Sequence, residues 1–291
     1  MKISVSKLFT VVLFLAIVAL NSFLLFDQVP SLDDRNYAYT WSQGFRGGIW
    51  PESAYSFAGE VFSSFSYKWF FLLVNTFSLL KIARKKGVAW ETKNLFFVIL
   101  LTSPFTVFGF GNTYLSFTAA LLYIAFWTPK TVFKPVLIST FFHTGAVFLA
   151  VLHSYSYKFL GAIVLIGLVS AAMYVGSSGA LQYLDSFDVS FFEITSLVIF
   201  ILIPPILAGV LAWNSRLIWL SVVCLVLVGA CWFIIPKLAN RVTFFLAVPV
   251  LYVSAISFET CAYKLKRQLL VSLCVVFNAV GFIASGAGDL F

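Results

Sequence analysis

Long apolar segments constrain this chain more than any other feature of its sequence. The most extended lie at 8–26, 95–110, 191–213 and 217–235. A helix needs about 20 predominantly apolar residues to cross the hydrocarbon core of a bilayer. Only 10% of the residues are charged, whereas soluble domains carry about 25%. The sequence therefore predicts an all-α integral membrane protein and excludes a soluble globular fold.

Hydropathy predicts about nine to ten transmembrane helices in a single polytopic domain, residues 1–291. The first apolar segment is longer than the core of a signal peptide, and no clean cleavage site follows it. We therefore interpret it as an uncleaved span with a cytoplasmic N-terminus. The predicted spans are 8–26, 67–82, 94–110, 113–128, 159–175, 191–212, 217–235, 242–259 and 269–287, with a further apolar segment at 135–152.

The path of segment 135–152 decides which of the later loops lie outside. Cytoplasmic loops of membrane proteins carry an excess of Lys and Arg. If the segment crosses fully, 11 of the 19 Lys and Arg residues lie inside, and if it enters from the cytoplasm and returns, 14 do. A polar break, Phe142-His143-Thr144-Gly145, lies at its centre. These observations predict a re-entrant helical hairpin around His143, and one long tilted span is the alternative.

The re-entrant threading defines an outside face. It contains a large loop at 27–66, a turn at 109–113, a second polar loop at 176–190 and a turn at 236–241. The net charge of +8 does not indicate nucleic-acid binding, because the cations occupy short turns between apolar segments. The four cysteines lie in or beside late apolar segments and only two histidines occur, so neither a metal site nor a cofactor is predicted.

The first outside loop mixes charges with aromatic residues and glycines. Its candidates are Asp33, Asp34, Arg35, Tyr37 and Arg46. Aromatic faces beside carboxylates and guanidinium groups suit sugar rings and their hydroxyls. A solvated loop with an interfacial aromatic belt is the alternative interpretation.

Two further residues stand out against the apolar background. Arg241 precedes the span predicted at 242–259, where its guanidinium and the helix N-terminus would both attract a phosphate. It falls on the outside face of the membrane, where Lys and Arg are disfavoured. An arginine that only extends its side chain to the membrane interface would have the same sequence pattern. His143 is the candidate expected to be most deeply buried, and ionisable groups inside a bilayer mark function. It could be a general base, a proton relay or a phosphate ligand, or a neutral histidine that satisfies broken backbone.

The segment Ser139-Thr-Phe-Phe-His143-Thr-Gly-Ala-Val-Phe-Leu149 resembles the "A-s-x-F-H-x-s-a-l" signature of EpsG-like and Wzy-like bacterial polysaccharide polymerases. The flanking order is similar too. Asp33 stands four places before Tyr37 in the first loop, and Arg241 opens a late span followed by aromatics. The chain departs from the family at Asn112, where an arginine is expected, so Arg46 or Arg35 would have to supply that cation.

This resemblance implies a glycosyltransferase-type polymerase of O-antigen or another surface polysaccharide in the bacterial inner membrane, with its active face in the periplasm. Such proteins join oligosaccharides carried on polyprenyl diphosphate, by moving the growing chain to a hydroxyl of a new unit. Asp33 or Asp34 would activate the acceptor and His143 would form the floor of the catalytic site. The implied partners are the lipid-linked oligosaccharide, membrane lipid and a chain-length regulator protein, without nucleic acid. The substrate-binding residues would be Arg241, Arg46, Arg35, Asn112 and Tyr37.

Three other functions fit the same residues. A transporter or flippase of lipid-linked sugars would use the same cations, although no inverted repeat is visible in the sequence. A membrane acyltransferase would use His143 to modify a glycan. A structural membrane subunit would need neither Arg241 nor His143.

Overall fold

The chain is represented by a computed structural model that describes the following residues: 4–26, 38–39, 41–42, 53–62, 64–103, 106, 114–128, 131, 133–177, 210, 214–234, 236–258, 272, 276 and 280. Within these residues the regular structure is helical, and the only β pairing is an isolated bridge between Thr128 and Thr131. The predicted all-α class is therefore confirmed for the described part of the chain.

Nine α-helices and one 3-10 helix have both ends within the described residues. The 3-10 helix spans Thr144–Tyr155. The α-helices are α1 (Val5–Phe26), α2 (Ser53–Val61), α3 (Tyr67–Ala83), α4 (Trp90–Thr102), α5 (Tyr114–Phe126), α6 (Phe133–Phe142), α7 (Lys158–Ser177), α8 (Ser215–Ile234) and α9 (Pro236–Phe258).

Two of the described helices, α1 and α8, are long and apolar enough to cross a membrane. Both coincide with predicted spans, at 8–26 and 217–235. Several other helices are apolar but shorter, at 10–17 residues in their apolar part. The spans predicted at 191–212 and 269–287 lie almost wholly outside the described residues, so the full number of crossings stays a prediction.

Contacts between Cα atoms divide the chain into two compact units. The first unit comprises residues 1–101 and 105–147, and the second comprises 102–104 and 148–291. In the first unit α1 packs on α3, α3 on α5, and α5 on α6. Buried polar pairs tie these helices together, because Thr118 Oγ1 donates to Asn75 Oδ1 at 2.8 Å and Asn94 Nδ2 donates to the Ser6 carbonyl oxygen at 3.2 Å.

The helices of the first unit alternate in direction, so the unit has two chemically different ends. At the end that we call basic, the beginnings of α1, α4 and α6 meet the C-terminal ends of α3 and α5. The cations there are Lys7, Lys81, Arg84, Lys85, Lys86, Lys93 and Lys134. At the opposite end, which we call aromatic, rings from four helices meet the ring of Trp41: Phe26, Trp69, Phe70, Phe71, Tyr114 and Phe142.

The second unit is built on α7, α8 and α9, in which α8 packs against both other helices. Two of its buried serine hydroxyls have partners within the unit: Ser257 Oγ donates to the Tyr155 hydroxyl at 3.1 Å, and Ser254 Oγ to the Val250 carbonyl oxygen at 2.8 Å. Gly161 packs so closely on Ser154 that an added Cβ would overlap the serine. A glycine is therefore required where the 3-10 helix turns into α7.

Candidate functional site

His143 occupies a break between two helices. Helix α6 ends at Phe142 and the 3-10 helix begins at Thr144, so the break falls where the sequence predicted it. This 3-10 helix has 12 residues, whereas runs beyond about 4 residues are uncommon and often mark a hinge. Whether the segment then returns to the face it entered stays a prediction.

The His143 side chain caps the 3-10 helix. Its Nδ1 accepts a hydrogen bond from the backbone N–H of Gly145 at 3.0 Å. The first N–H groups of a helix have no carbonyl partner of their own, and a side chain just before the helix usually satisfies one of them. The geometry thus supports a backbone-satisfying role for this histidine, which was one of the alternatives left open by the sequence.

The cap also determines what chemistry the imidazole can perform. Because Nδ1 uses its lone pair as an acceptor, the proton of the neutral ring resides on Nε2. Nε2 is then a hydrogen-bond donor, suited to a phosphate oxygen or a sugar oxygen. Among the roles that the sequence allowed, this tautomer favours a ligand of the substrate over a general base acting through Nε2.

His143 is partly buried at the end of α6. Whether it is the most deeply buried of the predicted site residues stays a prediction, because the side chains of the other candidates lie outside the described residues. The preceding residue, Phe142, stacks on Phe70 with centroids 6.0 Å apart. Phe70 lies one turn from the start of α3, so His143 is near the aromatic end.

Parts of the first predicted outside loop pack at this same end. The indole Nε1 of Trp41 donates to the Phe65 carbonyl oxygen at 2.9 Å, and the indole lies 5.5 Å from the Phe70 ring. Gly59 of α2 lies against the Trp41 backbone, where an added Cβ would come within 2.6 Å of the Trp41 carbonyl oxygen. Helix α2 also contacts α6 directly. The loop is thus anchored to α6, the helix that ends directly before His143.

Glu60 is a carboxylate that the sequence analysis did not single out. It is exposed near the C-terminal end of α2, next to the glycine that packs on Trp41. The helix that carries it contacts α6. Its only signal in the sequence was its place in the first outside loop, beside the small residues that allow close packing.

Most of the other predicted site residues lie outside the part of the chain that the structure describes. These are Asp33, Asp34, Arg35, Tyr37, Arg46 and Asn112. Three described residues stand close to them in the sequence: Phe26 before Asp33, Trp41 after Tyr37, and Tyr114 after Asn112. All three belong to the aromatic end, as His143 does. Their predicted roles remain predictions.

Arg241 stands farther inside its helix than the sequence predicted. Helix α9 begins at Pro236, not near residue 242, so Arg241 is its sixth residue. Proline is well suited to the first helical position because its missing N–H has no partner to lose. The free N–H groups at the helix start are confined to the first turn. They therefore do not assist Arg241 in binding an anion in the way we expected. The Arg241 side chain itself is outside the described residues.

No group of three or more His, Cys, Asp or Glu side chains able to hold a metal ion occurs within the described ranges. Comparison with protein-family models, with curated proteins and with solved structures gave no match. The chemistry of this end therefore has to be argued from its own residues: a capped histidine, a platform of aromatic rings and an anchored polar loop.

Proposed function

We propose that this chain polymerises oligosaccharide repeat units carried on polyprenyl diphosphate into a surface polysaccharide such as O-antigen. The observation that carries the proposal is the position of His143. A histidine whose Nδ1 accepts the Gly145 N–H lies at a helix break, beside stacked aromatic rings and the anchors of a polar loop. It also lies within the segment that resembles the family's signature.

The proposed division of labour follows from the chemistry of each group. The exposed rings at this end, Phe26 and Trp69, would stack on sugar rings, and the His143 Nε2–H would donate to an oxygen of the donor substrate. Asp33 or Asp34 would accept the proton of the acceptor hydroxyl. Arg241, assisted by Arg46 or Arg35, would bind the diphosphate through bidentate hydrogen bonds.

The proposal includes a topology of nine to ten spans in the bacterial inner membrane. The aromatic end of the first unit would face the periplasm and the basic end the cytosol, in agreement with the positive-inside rule. Aromatic residues are enriched at membrane interfaces, which is compatible with the position of Trp41 and Trp69.

A labelling experiment tests the threading on which the site depends. Single cysteines are introduced at Arg241 and at Glu60 in a variant without the native cysteines, and intact cells are treated with a membrane-impermeant maleimide. The threading predicts that both positions react from outside. If a cysteine at 241 reacts only after the cells are permeabilised, Arg241 faces the cytosol while the first loop lies outside. That result would rule out the proposed diphosphate site.

A genetic experiment tests the function itself. The gene is deleted from its host, and the surface polysaccharide is separated by electrophoresis. A polymerase deletion should abolish the ladder of chain lengths and retain a band with a single repeat unit. An unchanged ladder contradicts the proposal, as does a change of fixed mass per unit, which would indicate acylation.

A biochemical experiment separates polymerisation from transport. The purified protein is mixed in detergent with lipid-linked repeat units, and the glycan length is followed by mass spectrometry. A polymerase lengthens the glycan without a membrane gradient, whereas a flippase leaves the length unchanged.

A further inference from the structure

A cavity opens at the basic end of the first unit, opposite the proposed active face. Its volume is about 630 Å³. It is bounded by the C-terminal end of α3, the turn after it, the C-terminal end of α5 and the start of α6. Its lining includes five basic side chains: Lys81, Arg84, Lys85, Lys86 and Lys134. None of the described residues that line it is acidic.

The cations at this cavity are held close together by its aromatic and polar walls. The Nζ of Lys81 lies 3.3 Å from the ring centroid of Phe126, and the Nζ of Lys134 lies 5.9 Å from the same ring. Lys85 Nζ donates to the carbonyl oxygen of Ile124 at 2.8 Å. Cations packed in this way repel one another, and an anion between them would remove that repulsion.

The pKa of Lys85 agrees with a concentration of positive charge at this cavity. Burial, and then the charge of Lys81, lower the pKa of Lys85 from 10.5 to about 7. Two hydroxyls complete the polar wall, since the Oγ1 atoms of Thr128 and Thr131 are 2.7 Å apart. Ammonium, guanidinium and hydroxyl groups together form the donor set that binds phosphate.

Apolar side chains lead away from the cavity along two helices. On α3, Leu73 and Phe77 are 67% and 52% exposed and stand at four-residue spacing before Lys81. Residues four apart lie on one face of a helix, so this apolar face ends in the ammonium group. On α6, Leu137 is 54% exposed, three residues after Lys134. An anion with apolar chains attached fits this arrangement better than a soluble one.

We propose that this cavity binds the phosphate head group of an anionic phospholipid, whose acyl chains lie along the exposed apolar faces of α3 and α6. The site is separate from the proposed polymerase site and does not depend on it. The basic residues hold the phosphate, and Leu73 and Phe77 contact the chains. Of the two threonine hydroxyls, the one that does not donate to the other donates to a phosphate oxygen or to a glycerol hydroxyl.

Native mass spectrometry of the full-length protein in detergent tests the proposal. The probes are phosphatidylglycerol and phosphatidylcholine with identical acyl chains. Each basic residue near a charged lipid surface contributes about fivefold to binding. We therefore expect the double variant Lys81→Gln/Lys134→Gln to bind phosphatidylglycerol roughly 25-fold more weakly. The matched control is Lys158→Gln/Arg216→Gln, which removes two exposed cations from the second unit and should bind like the wild type.

The experiment distinguishes a bound anionic phospholipid from non-selective binding and from a bound free phosphate. Equal binding of the two lipids by the wild type would show that the charge of the head group is not recognised. Equal losses in the two double variants would show only a general attraction to charge. Either result overturns the proposal. If inorganic phosphate displaces the lipid and Leu73→Asn has no effect, the cavity takes a free phosphate, and the lipid proposal is also overturned. Should the double variant fail to fold, Lys134→Gln alone, at an exposed position, is expected to retain about one fifth of the affinity.

Discussion

The rings of Phe70 and Phe142 stack with planes 13° apart and centroids 6.0 Å apart. The first residue belongs to α3 and the second is the last residue of α6, directly before His143. The contact therefore fixes where α6 ends relative to α3, and with it the position of the capped histidine. Trp41 of the first loop also packs on Phe70, with ring centroids 5.5 Å apart. Helix, loop and histidine are held together through one phenylalanine.

Two substitutions at His143 distinguish a catalytic role from a capping role. An asparagine amide places an acceptor near the position of Nδ1 and keeps the cap, whereas a glutamine amide places a donor near Nε2 and loses it. We expect His143→Asn to fold normally and to lose about 100-fold or more in polymerisation rate, since one lost donor in an active site has that effect.

The glutamine variant should behave in the opposite way. His143→Gln loses the bond to the Gly145 N–H, which costs about 1 kcal/mol of stability, but it retains much of the activity. Thermal unfolding in detergent and the elongation assay measure the two effects. If the asparagine variant remains active and the glutamine variant is merely unstable, the histidine is only a cap.

Phe70→Leu should weaken both stability and activity. Leucine removes the stacking on Phe142 and the contact with Trp41, and aromatic pairs contribute about 0.5–1.5 kcal/mol beyond the area they bury. We expect a lower unfolding temperature and a slower elongation rate, because the end of α6 is no longer held in place. Phe233→Leu is the control, since Phe233 is 89% exposed on α8. Equal effects of the two substitutions would show that the stacking does not position the site.

The positions of several helices follow closely from the sequence, whereas α4 ends at Thr102, eight residues before the predicted end of its span. Helices α1, α3, α5 and α8 begin and end within three residues of the predicted spans, because each is a single apolar segment bounded by polar residues. The start of α9 was missed, since Lys237, Asn240 and Arg241 look like a loop although Pro236 is a favourable first helical residue. Local polarity alone does not locate a helix end.

The candidate site and the basic cavity were much less predictable. The break at His143 follows from local residues. Phe70, on which the preceding Phe142 stacks, is far away in the sequence, and no pattern links the two phenylalanines. Likewise, the turn Arg84-Lys85-Lys86 is typical of a basic loop that sets the orientation of a protein in the membrane. Only the packing of α3, α5 and α6 brings Lys134 to the same cavity. Long-range packing, and not residue type, decides which polar groups meet.

Asn21→Leu should stabilise the protein. Both amide atoms of Asn21 are buried in α1, and neither has a hydrogen-bond partner among the residues that the structure describes. A buried polar group without a partner costs about 1–3 kcal/mol, and leucine has a similar size. We expect a higher unfolding temperature in detergent.

The matched control is Asn75→Leu on α3. Asn75 is equally buried, but its Oδ1 accepts a hydrogen bond from Thr118. Its replacement should lower stability by about 1 kcal/mol, because the threonine hydroxyl loses its partner. A stabilising effect of both substitutions would mean that buried amides are unfavourable here whether or not they are paired.

The stability of the first unit should increase with pH above neutrality, because of Lys85. Burial and the charge of Lys81 lower its pKa to about 7 in the folded protein, against 10.5 for the unfolded chain. Between these values the unfolded state binds more protons than the folded state, so the free energy of unfolding rises with pH. The loss of stability caused by Lys85 is greatest below pH 7. The other charged groups that line the same cavity, Lys81, Arg84, Lys86 and Lys134, are all cations.

Unfolding temperatures of the wild type in an uncharged detergent, measured at pH 7 and pH 9, check this prediction. Lys85→Met removes the titrating group together with its bond to the Ile124 carbonyl oxygen. The variant should therefore be less stable at pH 9 but show a smaller increase between the two pH values. Lys86→Met, at a neighbouring exposed lysine, should retain the wild-type increase. A pH profile that is unchanged by Lys85→Met would assign the increase to other groups and show that Lys85 remains charged in the folded protein.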